Sequence, residues 1–228
     1  IMSITGEANR PPVRVGVSLV DMGSGMWSVI GLLAALFERS KHGQGAQIAT
    51  SLFETGLAWM TIPLAAHAVA GEVRKPHGSG LAEIVPYQAF EAKDGWVMIA
   101  AGNDKLFSKL CQSLPSLQGL GNDSRYALNR DRVKLRNELI PVIEKAVHSM
   151  SVAEVGQALD AGGVPNCPLL SIDKVWTHPQ TEAVGILTES DGQKWVGLPF
   201  TIDDKRPTSG GVAPVLGEHN NAIEQEYK

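Results

Sequence analysis

The stretch SLVDMGSGMWSV sets one acidic residue, Asp21, between an apolar run and two glycines, Gly23 and Gly25. A long apolar segment follows whose composition predicts a helix. An aspartate placed there has two uses. Asp is a favoured N-cap, its carboxylate accepting N–H bonds from the first helical turn. The same oriented N–H groups and the positive helix end also favour a negative charge at that point, and a desolvated carboxylate can act as a nucleophile. Glycines beside it either serve turn geometry or let a bulky ligand approach the backbone. These residue types alone leave both uses open.

Little else in the chain competes with Asp21 as a centre of chemistry. The histidines, His42, His67, His77, His148, His178 and His219, are dispersed and form neither HExxH nor HxH, so no metal site is expected. Cys111 and Cys167 lack metal-ligand spacing and read as free thiols of a reducing cytoplasm. Gly78, Ser79 and Gly80 make too short a run for a phosphate-binding fingerprint, and no GxGxxG motif occurs. A net charge of -4 without a dense Lys/Arg run argues against nucleic-acid and anionic-membrane partners. The apolar run Met26 to Phe37 is too short to cross a bilayer and predicts a buried helix. The opening IMSITGEANRPP has neither the basic start nor the apolar core of a secretion signal.

The elements that must position these residues follow from periodicity. With 228 residues and 43% hydrophobic content, the chain has the composition of a globular protein. Residues Val13 to Val20 read as a strand that delivers Asp21 to the helix, which closes on the cationic ERSKH cluster and Gly43. AQIATSL alternates like a second strand, and FETGLAWMTIPLAAHAVAGE returns to helical spacing with a kink expected at Pro63. This alternation predicts an α/β layer with a parallel sheet. From Gly71 onward the texture changes. KPHGSG is a turn-rich loop, and VPYQAFEAKDGWVMIAAGND predicts two strands around Asp94-Gly95. LFSKLCQSL and Asp131 to Met150 carry helical spacing, and SVAEVGQALDAGG predicts a helix capped by Ser151 with Glu154 and closed at Gly162-Gly163. Beyond the proline turns of VPNCPLLSIDKVWTHPQ, ILTES and KWVGLPF predict a hairpin around Asp191-Gly192, and the tail a short helix.

The segment VSLVDMGSGMWSVIGLLAALFERSKHGQGAQIATSLFETGLAWM resembles the centre of the class III CoA-transferases, the CaiB/BaiF family. GSGLAEIVPYQAFEAKDGWVMIAAGNDKLFSKLCQSL, GGVPNCPLLSIDKVWTHPQTEAVGIL and APVLGEHN are similar to the family's later blocks, in the same order and over nearly the whole chain. The resemblance implies an α/β fold: part of a Rossmann-like large domain with an inserted smaller α+β domain. Residues 1–70 would be a large-domain portion carrying the catalytic Asp21, 71–185 the small domain, and 186–228 the return to the large one. It also implies that this sequence lacks the family's N-terminal half, where most residues that bind coenzyme A lie. Asp21 falls on the family's nucleophile, and Gly78, Ser79 and Gly80 fall on a glycine-rich loop near the acyl group that serves as a mobile cover.

The activity so implied moves coenzyme A between an acyl-CoA and a carboxylic acid through aspartyl anhydride and aspartyl-CoA intermediates. Coenzyme A is then a substrate, with no permanently bound cofactor and no metal, and the protein an interlocked homodimer of the cytoplasm. The VPYQAF block and Gly102-Asn103-Asp104 hint, by the same resemblance, at dicarboxylic acids such as succinate. Two alternatives stand beside this one. An acyl-CoA racemase of the family would use the aspartate as acid and base, but it places a glutamate near the position of Gly102-Asn103-Asp104, which looks transferase-like. A non-catalytic assembly module is the other, since a fragment of a domain exposes apolar surface that needs a partner.

Overall fold

The computed structural model of the protein describes residues 1–190, 192–208 and 213–227. The chain divides into two units, Ile1–Pro168 and Leu169–Lys228.

The first unit opens with three helices, α1 (Leu19–His42), α2 (Leu52–Trp59) and α3 (Thr61–Ala70). Helix α1 ends as its sequence predicts. Gly43 takes the left-handed conformation (φ 71°) and donates its N–H to Arg39 O, with Arg39, Lys41 and His42 in the last turn. Helix α2 is opened by Ser51, whose Oγ accepts the Glu54 N–H at 3.1 Å. The kink expected at Pro63 is instead a break at Met60, which leaves Pro63 in the first turn of α3. There its missing N–H costs nothing, because the first N–H groups of a helix have no intrahelical partner.

The expected strands at Val13 to Val20 and in AQIATSL do not form. A strand exists only as one member of a hydrogen-bonded pair, and among the described residues neither segment has a partner. The first has no regular structure, bends at Gly16 and Val17, and enters α1 at Leu19. The parallel sheet is therefore not among the described elements; the sheets present are antiparallel. Helix α1, expected to be buried, has only Gly23 buried. It is apolar around most of its circumference, so it needs covering on several sides, and α2 supplies one. By length and composition the whole of α1 would also suit a bilayer span. Its hydroxyl bonds to the α2 region suit packing within protein.

The core of this unit lies further along the chain. Strands β1 (Tyr87–Ala92), β2 (Gly95–Ala100) and β3 (Asn166–Pro168) form an antiparallel sheet in that order. The hairpin expected around Asp94-Gly95 is present, with Ala92 paired to Gly95. Helices α4 (Asp104–Ser113), α5 (Asn129–Lys134), α6 (Arg136–His148) and α7 (Val152–Gly162) complete it, α6 packing on β1 and α7 on β2 and β3. Phe90, Val97 and Ile99 meet Phe107, Leu110, Leu139, Ile143 and Leu159 in a fully apolar cluster. The cap at Ser151 is a complete capping box: Ser151 Oγ accepts the Glu154 N–H and Glu154 Oε2 accepts the Ser151 N–H at 2.7 Å. Gly163, in the left-handed region (φ 64°), closes the helix.

The second unit holds α8 (Ile172–Trp176), α9 (Pro179–Ala183), the hairpin β4 (Leu187–Ser190) with β5 (Gln193–Val196), and α10 (Asn220–Glu226). The expected turn residue Asp191 lies outside the described residues. Arg206 ties the unit together by donating to the carbonyls of Val184, Gly185 and Leu198.

Candidate functional site

Asp21 is the third residue of α1 and not its cap. The N-cap is Ser18, whose Oγ makes no capping bond and accepts instead from Arg14 Nη2 at 3.3 Å. Asp21 still sits in the first turn, at the positive end of the helix. Its side chain is exposed, and among the described residues it makes no hydrogen bond or ion pair. Of the two uses of such an aspartate, the structure removes the capping one and leaves a free carboxylate.

What holds that carboxylate in place is the contact between α1 and the segment 48–59. Gly23 is buried: a Cβ there would stand 2.8 Å from Trp59 Nε1 and 2.9 Å from Thr55 Cγ2. This glycine serves helix packing rather than ligand approach, whereas Gly25 faces open space. Ser24 Oγ bonds Thr55 Oγ1 at 2.8 Å, Ser28 Oγ bonds Thr50 Oγ1 at 2.9 Å, and a Cβ on Gly31 would stand 3.0 Å from Ile48. Trp27 and Trp59 lie with ring centroids 6.3 Å apart. One face of α1 is thereby fixed along its first half, and with it the direction of the Asp21 turn.

The 78–80 loop is docked. Gly78 (φ 62°) donates its N–H to Gly6 O at 2.8 Å, Ser79 Oγ accepts the Ala89 N–H at 3.0 Å, and Gly80 N–H bonds His77 O at 3.0 Å. Behind it, residues 81–85 are held from α5 and α6. Asn129 accepts from Val85 N and donates to Glu83 O, Arg132 Nε donates to Val85 O at 2.8 Å, and Arg136 Nη2 donates to Leu81 O and Ala82 O. Among the described residues no hydrogen bond joins Asp21 to the loop; the loop meets Gly6 and Glu7 instead.

Arg132 is fully buried and is the hub of this arrangement. Nη1 donates to Tyr126 O and Ala127 O, Nη2 to Asp104 Oδ1 at 2.8 Å, and the guanidinium lies 4.4 Å from the Phe107 ring centroid. Asp104 also accepts the Asn129 N–H, and Asn103 caps α4 by accepting from Leu106 N. Within Gly102-Asn103-Asp104 two side chains thus do structural duty. Sequence reasoning missed Arg132 and Arg136. For Arg132 a signal existed: 132, 139, 143 and 147 stand at the spacing of one helical face in the sequence, so an arginine fell in line with an apolar stripe, although the structure divides that stretch between α5 and α6.

Other reactive groups are arranged less favourably. Cys111 is buried, and burial pushes its thiol up to about 11 against the opposing pull of Arg132. A thiol so placed is inert. Among the described residues no group of three or more His, Cys, Asp or Glu stands together as a metal site.

Known proteins place this arrangement in a family. CoA-transferase family III matches residues 1–220. The chain is 33% identical to the acetyl-CoA:oxalate CoA-transferase of Acetobacter aceti, over 100% of its own length and 59% of that protein's. It is 30% identical to the succinyl-CoA:glutarate CoA-transferase of Homo sapiens, over 99% of this chain and 52% of the other. The chain spans about half the length of these curated relatives. A CaiB/BaiF family protein from Brucella suis has a similar structure, with a TM-score of 0.84 at 31% identity, covering 100% of this chain and 60% of that one. The family match runs unbroken through the Asp21 turn, the 78–80 loop and the core behind it: the chain belongs to CoA-transferase family III.

Proposed function

We propose that the intact protein moves coenzyme A from an acyl-CoA thioester to a carboxylic acid, with Asp21 as the nucleophile. The observation that carries this is an exposed carboxylate that bonds no protein group among the described residues, in the first turn of a helix fixed on one side, in a chain of this family. A carboxylate oxygen of Asp21 attacks the thioester carbonyl; the C–S bond breaks, giving a mixed aspartyl anhydride and CoA thiolate. The thiolate attacks the aspartyl carbonyl, releasing the donor as its carboxylate and leaving an aspartyl-CoA thioester. The acceptor carboxylate attacks this thioester and frees the thiolate. The thiolate then takes the acceptor's acyl carbon from the second anhydride and restores the Asp21 carboxylate. The positive helix end favours negative charge at Asp21 before and after each exchange.

Several of the relatives are named for oxalate, glutarate, D-citramalate or mesaconate, all dicarboxylic acids, and we extend that class to this protein. Gly78, Ser79 and Gly80 would lie beside the acyl group. The same reading makes residues 1–70 and 186–228 parts of a Rossmann-like large domain and 71–185 the small one, in a cytoplasmic homodimer without a resident cofactor.

The test is Asp21→Asn in the intact protein. Transfer should fall to background while stability changes by no more than about 0.3–1 kcal/mol, the worth of a charge near a helix end. Wild-type protein incubated with acyl-CoA and then hydroxylamine should carry a hydroxamate at Asp21 by peptide mass analysis. Transfer by Asp21→Asn within a few-fold of wild type sinks the assignment.

A further inference from the structure

Asp21 and Gly25 stand one turn apart on the same side of α1, as an i, i+4 pair. Side chains of a helix lean toward its N-terminus, so each covers the turn before its own position. The two residues placed to lie over Asp21 are therefore Ser24 and Gly25. Neither covers it. Ser24 Oγ is engaged elsewhere, donating to Val20 O at 2.9 Å and meeting Thr55 Oγ1 of α2 at 2.8 Å. Gly25 has no side chain, and a Cβ there would meet nothing within 4 Å among the described residues.

Packing does not ask for this glycine. Of the three glycines in α1, Gly23 lies against Trp59 and Thr55, and a Cβ on Gly31 would stand 3.0 Å from Ile48. Gly25 is exposed, its backbone is helical and not left-handed, and the space beside it is open. A glycine in a helix interior weakens the helix relative to alanine. The weakness falls one turn from an exposed carboxylate that bonds no protein group among the described residues.

Attack by Asp21 needs that space. A thioester carbonyl carbon is planar, and it becomes tetrahedral as the carboxylate oxygen bonds to it. Its oxygen, the CoA sulfur and the acyl α-carbon then splay away from the incoming oxygen until the C–S bond breaks. Cβ atoms of an i, i+4 pair are about 5–6 Å apart, close enough for a side chain at 25 to meet one of those three groups.

We propose that Gly25 keeps the approach to Asp21 open and sets how much bulk beside the thioester carbonyl the site admits. Acyl groups branched at the α-carbon are the class that depends on it. This rests on the transferase reading above.

The test uses the intact protein with Gly25→Ala and Gly25→Leu. The donors are succinyl-CoA and the same thioester methylated at the carbon beside its carbonyl, both of which the wild type should accept, with glutarate as acceptor. Gly25→Leu should lower kcat/KM for both donors by about 100-fold, the loss that a misplacement of about 1 Å brings. Gly25→Ala should leave succinyl-CoA within about threefold and lower the methylated donor by about tenfold or more, the range for one methyl group too many. Gly25→Ala should melt no lower than wild type. Carbodiimide coupling of an amine to exposed carboxylates reads the approach without turnover: by peptide mass analysis, Asp21 should label several-fold more slowly in Gly25→Leu, measured against exposed Glu38 of the same helix. Slower labelling in a protein that transfers nothing would keep the clearance at Gly25 and discard the transferase. Transfer abolished by Asp21→Asn but unchanged in Gly25→Leu would discard the clearance and keep the transferase. A lower melting temperature for Gly25→Ala, an equal loss of the two donors in that variant, or refusal of the methylated donor by wild type also overturns the proposal. Should Gly25→Leu fail to fold, Gly25→Ala carries both readouts.

Discussion

Arg132 and Asp104 are joined at 2.8 Å between α5 and α4, with the guanidinium wholly buried and the carboxylate half in solvent. The two sides of this pair are not equivalent. Removing Asp104 strands a buried charge, while removing Arg132 strands the carbonyls of Val85, Tyr126 and Ala127. We expect Asp104→Ala and Arg132→Met each to cost roughly 3–5 kcal/mol, the range for breaking a buried pair from one side. Urea unfolding checks this. A loss below about 1 kcal/mol for Asp104→Ala would show that the carbonyls and the Phe107 ring suffice to hold the guanidinium.

Gly23 and Gly25, two residues apart, should respond oppositely to a side chain. Gly23→Val drives a methyl into Trp59 and Thr55 and should cost about 1–3 kcal/mol, and under the proposed function it should also lower transfer as the Asp21 turn shifts. Gly25→Ala meets nothing within 4 Å and should stabilise by about 0.5–1 kcal/mol through helix propensity. Melting temperatures of the two variants decide the matter; a drop for Gly25→Ala would mean that its face is covered in the intact protein.

The cysteines should separate under a thiol reagent. Cys167 is exposed, whereas burial holds the Cys111 thiol up to about 11. One equivalent should react in native protein and the second only on unfolding, as read by the absorbance of a disulfide reagent. Two rapid equivalents would contradict the burial of Cys111.

The capping box predicts a pH dependence. Bonds from the Ser151 N–H and hydroxyl lower the Glu154 pKa. A carboxylate whose folded pKa is depressed contributes stability that is complete above its unfolded value, about 4.3, and is lost as pH falls through the lower folded value. Glu154→Gln should therefore be less stable than wild type at neutral pH and converge with it in acid, as followed by urea midpoints between pH 7 and pH 2. A gap that persists at the acid end would point to packing.

What could be read from the residues alone was local. The β1–β2 hairpin, the Ser151–Glu154 box and the glycine stops at Gly43 and Gly163 each depend on neighbours a few residues away, and each was legible. The segments Val13 to Val20 and AQIATSL read as strands because alternation is a strand's mark, yet pairing needs a partner that no local pattern reveals. Asp21 read as the cap, yet the helix begins at Leu19 with Ser18 before it, a start that the residue types did not mark. Arg132 reads as a surface charge until the carbonyls of Val85 and Tyr126, from other parts of the chain, are seen around it. Asp21 and the glycine loop could be named as candidates from the residues, whereas the bond from Arg136 to Leu81 O, spanning 55 residues, could not be seen there.

Among the described residues, the buried apolar side chains all fall between Val85 and Val164, while Ile30, Leu33, Phe37, Phe53 and Ile62 of α1, α2 and α3 stand open. Amide hydrogen exchange should accordingly run in two tiers in this chain. Amides of β1, β2 and α6 can exchange only when the whole core opens, whereas those of α1 to α3 need only a lesser opening. Any molecule that seats on the three helices would slow their exchange while leaving the core tier unmoved. The two rates read together would thus report occupancy of that face separately from the stability of the fold.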